Sequence, residues 1–184
     1  ATERRIYEAG SVSEKENRTL LLLNRNASMA EPWSLWEPHT KITAAKFLAN
    51  ALAAAYPNTA VCSFGKTFRQ EHSPDDVKPL DTETRLDATL RQAILLEPES
   101  LVIITDGRPI RNAIVDTRAS CEETVALLDA LGGSGVQTLI FTLGKDTEME
   151  KLYSRLMHTP SIHVMPLKTG GDLVRMMKGV ADWL

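Results

Sequence analysis

Cysteine is scarce in this 184-residue sequence. Cys62 and Cys121 are the only two, which excludes a disulfide framework and any cysteine-rich zinc site. Long apolar runs are missing as well. No stretch approaches the ~18–20 residues that a membrane-spanning helix needs, and the first residues are charged rather than signal-like. A basic excess is also absent: 21 Lys and Arg against 24 Asp and Glu leave a formal net charge of −3, unsuited to a sequence-neutral nucleic-acid binder. No internal repeat or low-complexity tract is visible. What remains is ordinary globular composition, 43% hydrophobic and 24% charged, which argues against disorder and suffices for one core. The expectation is a soluble, cytoplasmic (intracellular) domain. The first residue is Ala1 rather than Met, as expected of a processed chain or a piece of a longer one.

Four short apolar runs, Leu20–Leu23, Leu101–Thr105, Thr138–Leu143 and Ile162–Met165, predict strands buried on both faces of a parallel sheet. Ala60–Phe64, then Gly65-Lys66, then Thr67–Gln70 predicts two strands joined by a tight turn. Helical spacing fills the intervals: Thr40 to Tyr56, Arg85 to Leu96, Ser120 to Leu131, Thr147 to Met157 and Thr169 to Trp183. Ser120 and Glu123 carry a capping-box pattern, and Gly132-Gly133 closes that helix. Residues 1–18 are polar and charged and predict a peripheral N-terminal arm, leaving 19–184 as the domain. The alternation implies a three-layer α/β/α, doubly wound, mainly parallel six-stranded sheet with Thr67–Gln70 as an antiparallel edge strand.

In such a sheet, ligands bind at the carboxyl ends of the strands, where strand order reverses. The residues to weigh are therefore Asn24-Arg25-Asn26-Ala27-Ser28-Met29, Asp81-Thr82-Glu83-Thr84-Arg85-Leu86 and Thr105-Asp106-Gly107-Arg108. Their amide oxygens, hydroxyls and one strand-end carboxylate are hard donors, suited to Mg²⁺ rather than zinc.

Asn24-x-Asn26-x-Ser28, Thr84 and Thr105-Asp106-Gly107 together resemble the von Willebrand factor A (vWA) family. That family places Asp-x-Ser-x-Ser, a Thr and Thr-Asp-Gly on the corresponding loops as a metal-ion-dependent adhesion site. The resemblance covers roughly residues 19–183. It implies a degenerate metal site at Asn24, Asn26, Ser28, Thr84 and Asp106. With Asn in place of the first Asp and the first Ser, Asp106 is the one evident negative charge. A site with so little charge binds Mg²⁺, Mn²⁺ or Ca²⁺ weakly or not at all. The resemblance further implies non-catalytic protein binding, in which a partner's acidic residue docks at the carboxyl edge of the sheet. Intracellular members often act with AAA+ ATPases, which makes an AAA+ ATPase or larger assembly the partner to expect.

Arg25, Arg85 and Arg108 flank these loops, and arginine captures carboxylates bidentately without a cation. Local pairing with Asp81, Glu83 and Asp87 is the competing reading. Met29 to Pro38 forms a Pro-bounded loop carrying Trp33 and Trp36, so Met29, Trp33 and Trp36 join the three arginines as candidate partner-binding residues. The competing reading there is that the rings fold back onto the sheet edge or first helix.

Other chemistry fails on context. Gly132-Gly133-Ser134-Gly135 joins a helix to a strand, the wrong order for a phosphate cradle. No Gly-x-Ser-x-Gly elbow exists, and His39, His72, His158 and His163 lack metal-ligand spacing. Cys62 sits in an expected buried strand, and Cys121 has no neighbouring His. A metal-dependent hydrolase or transferase using Asp106 is the enzymatic alternative, without an obvious general base. A purely structural domain with a vestigial site is the third.

Overall fold

The computed structural model describes residues 19–34, 37–112, 114–144, 151, 152, 154, 155 and 159–179. The expected N-terminal arm, residues 1–18, lies outside the described residues, as do most of the expected 147–157 helix and the end of the last one.

Six strands form one sheet: β1 (Thr19–Asn24), β4 (Thr59–Phe64), β5 (Phe68–Gln70), β7 (Ser100–Thr105), β9 (Gln137–Leu143) and β10 (Ile162–Leu167). Their order is β10-β9-β7-β1-β4-β5. All neighbours run parallel except β5, which pairs antiparallel with β4 at the edge as the sequence predicts.

Parallel central strands must bury both faces, and the apolar runs meet that need residue by residue. Leu20, Leu22, Leu101 and Ile103 enter one core cluster, while Leu21, Leu23, Val102 and Ile104 enter the other. Helices α2 (Leu86–Leu95) and α3 (Thr117–Gly133) cover the first face through Leu86, Leu90, Ala93, Leu128 and Leu131. Helices α1 (Lys41–Ala55) and α4 (Gly170–Lys178) cover the second through Ile42, Ala45, Leu48, Leu52 and Leu173. Each fully buried leucine contributes roughly 1.5–3 kcal/mol, so the two faces account for most of the driving force toward this three-layer α/β/α sandwich.

Helix ends follow local chemistry. Thr40 caps α1 by accepting from Thr43 N, and Tyr56 ends it ahead of left-handed Asn58. Thr169 and Asp172 form a capping box at α4. The capping box expected at Ser120 and Glu123 is not there. Asp116 caps α3 one turn earlier by accepting from Ala119 N, and Ser120 lies buried inside the helix. An Asp three residues before a free N–H competes successfully with a Ser that the helix can absorb.

Two short antiparallel pairs were not expected. β2 (Pro32–Ser34) pairs with β3 (Glu37–Thr40), turning the Pro-bounded loop into a hairpin. β6 (Thr84–Arg85) pairs with β8 (Ile110–Arg111), with Thr84 opposite Arg111. The second pair bears directly on the candidate site.

Candidate functional site

From β1 the chain crosses to β4 on one side, and later to β7 on the other. The strand order therefore reverses between β1 and β7, and a crevice opens at their carboxyl ends. Asn24 ends β1, Thr105 ends β7, and the Asn24 amide donates to Thr105 Oγ1 at 2.9 Å across the reversal point.

The three loops do converge. Ala27 N donates to the Asp81 carbonyl at 2.7 Å, and Asp81 N donates to the Arg25 carbonyl at 3.1 Å, tying the first loop to the second. Leu86 N donates to the Pro109 carbonyl at 3.1 Å, and the β6–β8 pair ties the second to the third. Ser28 Oγ donates to Asp106 Oδ2, tying the third back to the first.

Within the crevice the two asparagines serve the backbone. Asn24 Oδ1 accepts from Asn26 N at 2.8 Å, and Asn26 Oδ1 accepts from Ser28 N at 2.9 Å. These side-chain turns start the short 3₁₀ turn Ala27–Ala30. The Asn26 Nδ2 and Thr84 Oγ1 atoms are buried without a hydrogen-bond partner among the described residues. Asp106 has 0% exposure. Besides Ser28, it receives Arg108 N at 3.3 Å on Oδ1 and Arg111 Nη2 at 3.3 Å on Oδ2, while Lys41 Nζ stands 4.0 Å from Oδ2.

A divalent ion such as Mg²⁺ takes oxygen ligands, and its affinity rises with the negative charge they carry. Here both asparagine oxygens already accept from backbone N–H groups, and the free group on Asn26 is an N–H donor. The single carboxylate already faces two cationic side chains. Among the described residues the Thr84 hydroxyl oxygen is buried without a hydrogen bond, so the set offers a divalent cation oxygen donors but little negative charge. Among the described residues, no group of three or more His, Cys, Asp or Glu side chains could hold a metal.

Several expected binding residues are engaged in the fold. Arg25 is 3% exposed. Its Nη1 donates to Ser63 Oγ at 3.0 Å, its Nη2 to the Thr67 carbonyl and hydroxyl at 2.7 and 3.0 Å, and its Nε faces Asp81 Oδ2 at 3.1 Å. Burial pulls this guanidinium below its usual value, with Asp81 opposing. It fastens the first loop to β4 and to the turn that follows it. Gly65 is needed beside it, since a Cβ there would come within 2.1 Å of Asp81 Oδ2.

Arg85 forks onto Asp87 at 2.9 and 2.8 Å, the local pairing weighed above. This bond raises the Arg85 value. At Asp87, burial pushes upward, but the Arg85 fork and the Ala88 N–H prevail and hold the carboxyl below its usual value. Met29 is fully buried in the core, and Trp33 is 3% exposed with its indole N–H donating to the Leu167 carbonyl at 2.8 Å. Both belong to the packing of the α1–α4 face, because their apolar area is worth more inside than out. Trp36 lies outside the described residues. Of the six expected contact residues, Arg108 is exposed at the crevice.

Sequence reasoning missed Lys41 and Arg111. The signal for Lys41 was a cation in the first turn of a helix with no acidic residue there, an unfavourable place unless an acid elsewhere holds it. Arg111 lies five residues past Asp106, and only the β6–β8 pairing turns it back. Cys62 is buried in β4, and burial pushes its thiol upward, consistent with core filling.

No family model matches the sequence, and no curated protein matches it either. Solved structures do. The PilB minor pilin of Streptococcus sanguinis aligns at 10% identity and a TM-score of 0.63, over 89% of this chain and 60% of that one. This chain therefore spans 60% of the pilin's length. The SpRpn10 VWA domain aligns at 13% identity and a TM-score of 0.59, over 86% of this chain and 93% of that one. The manganese-loaded TRAP protein of Plasmodium vivax aligns at 16% identity and a TM-score of 0.55, over 92% and 75%. Identities this low carry the architecture alone. By topology and by these likenesses, the chain has a von Willebrand factor A-like fold.

Proposed function

We propose that this chain is a non-catalytic protein-binding module of vWA type, whose binding face is the crevice at the carboxyl ends of β1 and β7. The observation that carries the reading is the convergence of three loops at the reversal point, with Asp106 buried at its centre and exposed Arg108 at its rim. A partner's acidic side chain would meet Arg108 there, and charge complementarity would set its orientation. The partner is another protein, with an AAA+ ATPase or larger assembly the class implied by the sequence resemblance, and the setting is intracellular. The unpaired cysteines favour that setting. Catalysis has less support, because Asp106 already accepts from Ser28, Arg111 and the Arg108 backbone, and no free general base stands near it among the described residues.

Affinity capture from the native extract, with and without EDTA, tests this reading. The wild-type chain is expected to retain a reproducible partner in EDTA, and Arg108→Glu is expected to lose it. Retention by Arg108→Glu, or no reproducible partner for the wild-type chain with or without EDTA, would overturn it. No described helix is long and apolar enough to cross a membrane.

A further inference from the structure

We infer that Lys41 and Arg111 act as a built-in counter-cation for Asp106, taking the electrostatic place that a divalent ion would hold. On this inference, removing the two side chains from a chain that carries Asn24→Asp converts the crevice into a cation site. It deepens the reading of the crevice given above and rests on the same three loops, but its readout is metal binding and stability rather than partner capture. Failure of one is therefore distinguishable from failure of the other.

Three observations carry the inference. Asp106 is completely buried, and a buried carboxylate is costly unless paired and hydrogen-bonded. The described partners supply that pairing from both sides of the crevice, with Arg111 Nη2 at 3.3 Å and Lys41 Nζ at 4.0 Å from the same oxygen.

Lys41 is built into its place. It occupies the first residue of α1, where the helix dipole disfavours a positive charge, and α1 has no acidic residue in its first turn. Its side chain is nevertheless only 11% exposed, held between Asp106 and Glu31, the latter at 3.6 Å. Gly144 makes room for it. That residue has φ of +103°, and a Cβ there would lie 2.8 Å from Lys41 Cε.

Arg111 is delivered by β8, opposite Thr84 on β6. Among the described residues its Nε has no hydrogen-bond partner, and its Nη2 meets Asp106 Oδ2 at 3.3 Å. The two asparagines complete the picture. Amide oxygens already serving backbone N–H groups add no negative charge, and the one carboxylate present is matched by cations the chain itself provides.

Two measurements test the inference on the full chain. Calorimetric titration of EDTA-treated wild-type protein with Mn²⁺ is expected to show no saturable binding below about 1 mM. Asn24→Asp alone adds a carboxylate but keeps the counter-cations. The triple variant Asn24→Asp, Lys41→Met, Arg111→Gln is expected to bind Mn²⁺ at least about tenfold more tightly than Asn24→Asp, and adding Asp106→Asn should abolish the gain. The second measurement is thermal unfolding without metal. Arg111→Gln should lower the Tm, and Asp106→Asn in the same chain should recover most of that loss, because a neutral amide no longer needs the charge. Saturable wild-type Mn²⁺ binding removed by Asp106→Asn would overturn the inference, as would a triple variant no tighter than Asn24→Asp. If the triple variant does not fold, additive Tm losses for Arg111→Gln and Asp106→Asn would overturn it equally.

Discussion

Two arginine–carboxylate pairs flank Asn24, and they are built in opposite ways. In the Arg25–Asp81 pair the arginine is the buried member, 3% exposed, and Asp81 reaches it from a side chain 28% exposed. Arg25 also donates to Ser63 and Thr67, and Ser63 in turn donates to Glu71 at 2.7 Å. In the Asp106–Arg111 pair the carboxylate is the buried member, with the arginine 25% exposed. A buried arginine whose head is surrounded by acceptors fastens loops. A buried acid met by cations from two other elements leaves a polar centre with unmatched groups around it. The neighbourhood of a motif does not separate these cases; which member of the pair is buried does, since among the described residues both arginines leave Nε without a hydrogen bond.

If this contrast is right, Arg25→Ala should have the largest effect on stability, about 3–5 kcal/mol, because it strips a buried network and leaves its acceptors unpaired. Urea unfolding measures it, and a loss below about 1 kcal/mol would mean that the network is not cohesive. Gly65→Ala should follow at about 1–3 kcal/mol, since the new methyl collides with the carboxylate that holds Arg25. Its effect should largely vanish in an Arg25→Ala background, which a double-mutant cycle would detect.

Arg85→Ala should cost about 1–2 kcal/mol near neutrality by leaving the buried Asp87 carboxyl without its fork. The folded-state value of Asp87 is depressed below its ordinary 3.8. Its stabilisation is therefore present above pH ~4 and is lost as pH falls through the depressed value. The wild-type and variant stability curves should converge on the acid side; a constant gap down to that range would remove Asp87 from the account. Arg108→Glu should be the smallest, within about 0.5 kcal/mol of wild type, while reducing partner capture. A large stability loss there would move Arg108 into the structural class with Arg25.

Most of the sheet was legible in advance because apolar runs such as Leu20–Leu23 and Leu101–Thr105 have little choice of environment. Residues that must be buried on both sides predict a parallel strand wherever the chain supplies helices to cover them. The edge strand followed from the tight Gly65-Lys66 turn, with its start one residue later at Phe68. The helix α3 start was misplaced by a turn, because two capping signals, Asp116 and Ser120, lie in one stretch and sequence does not rank them. The candidate crevice was legible as a set of loops. Its chemistry was less so, because Met29 and Trp33, expected at an interface, are used to seal the α1–α4 face instead.

By itself, the sequence determined the alternation of strands and helices, the loops that follow the strands, and the shortage of negative charge on them. Periodicity and residue type act locally, and these features follow from them. Only the tertiary structure decided which charges meet. Arg25 turns to Asp81 although it sits beside Asn24 and Asn26, and Arg111 and Lys41, 70 residues apart in number, turn to Asp106. Such pairings depend on β6 meeting β8 and on Gly144 clearing a path for a lysine. Those are contacts between distant segments, and their energies exist only once the sheet has brought the segments together.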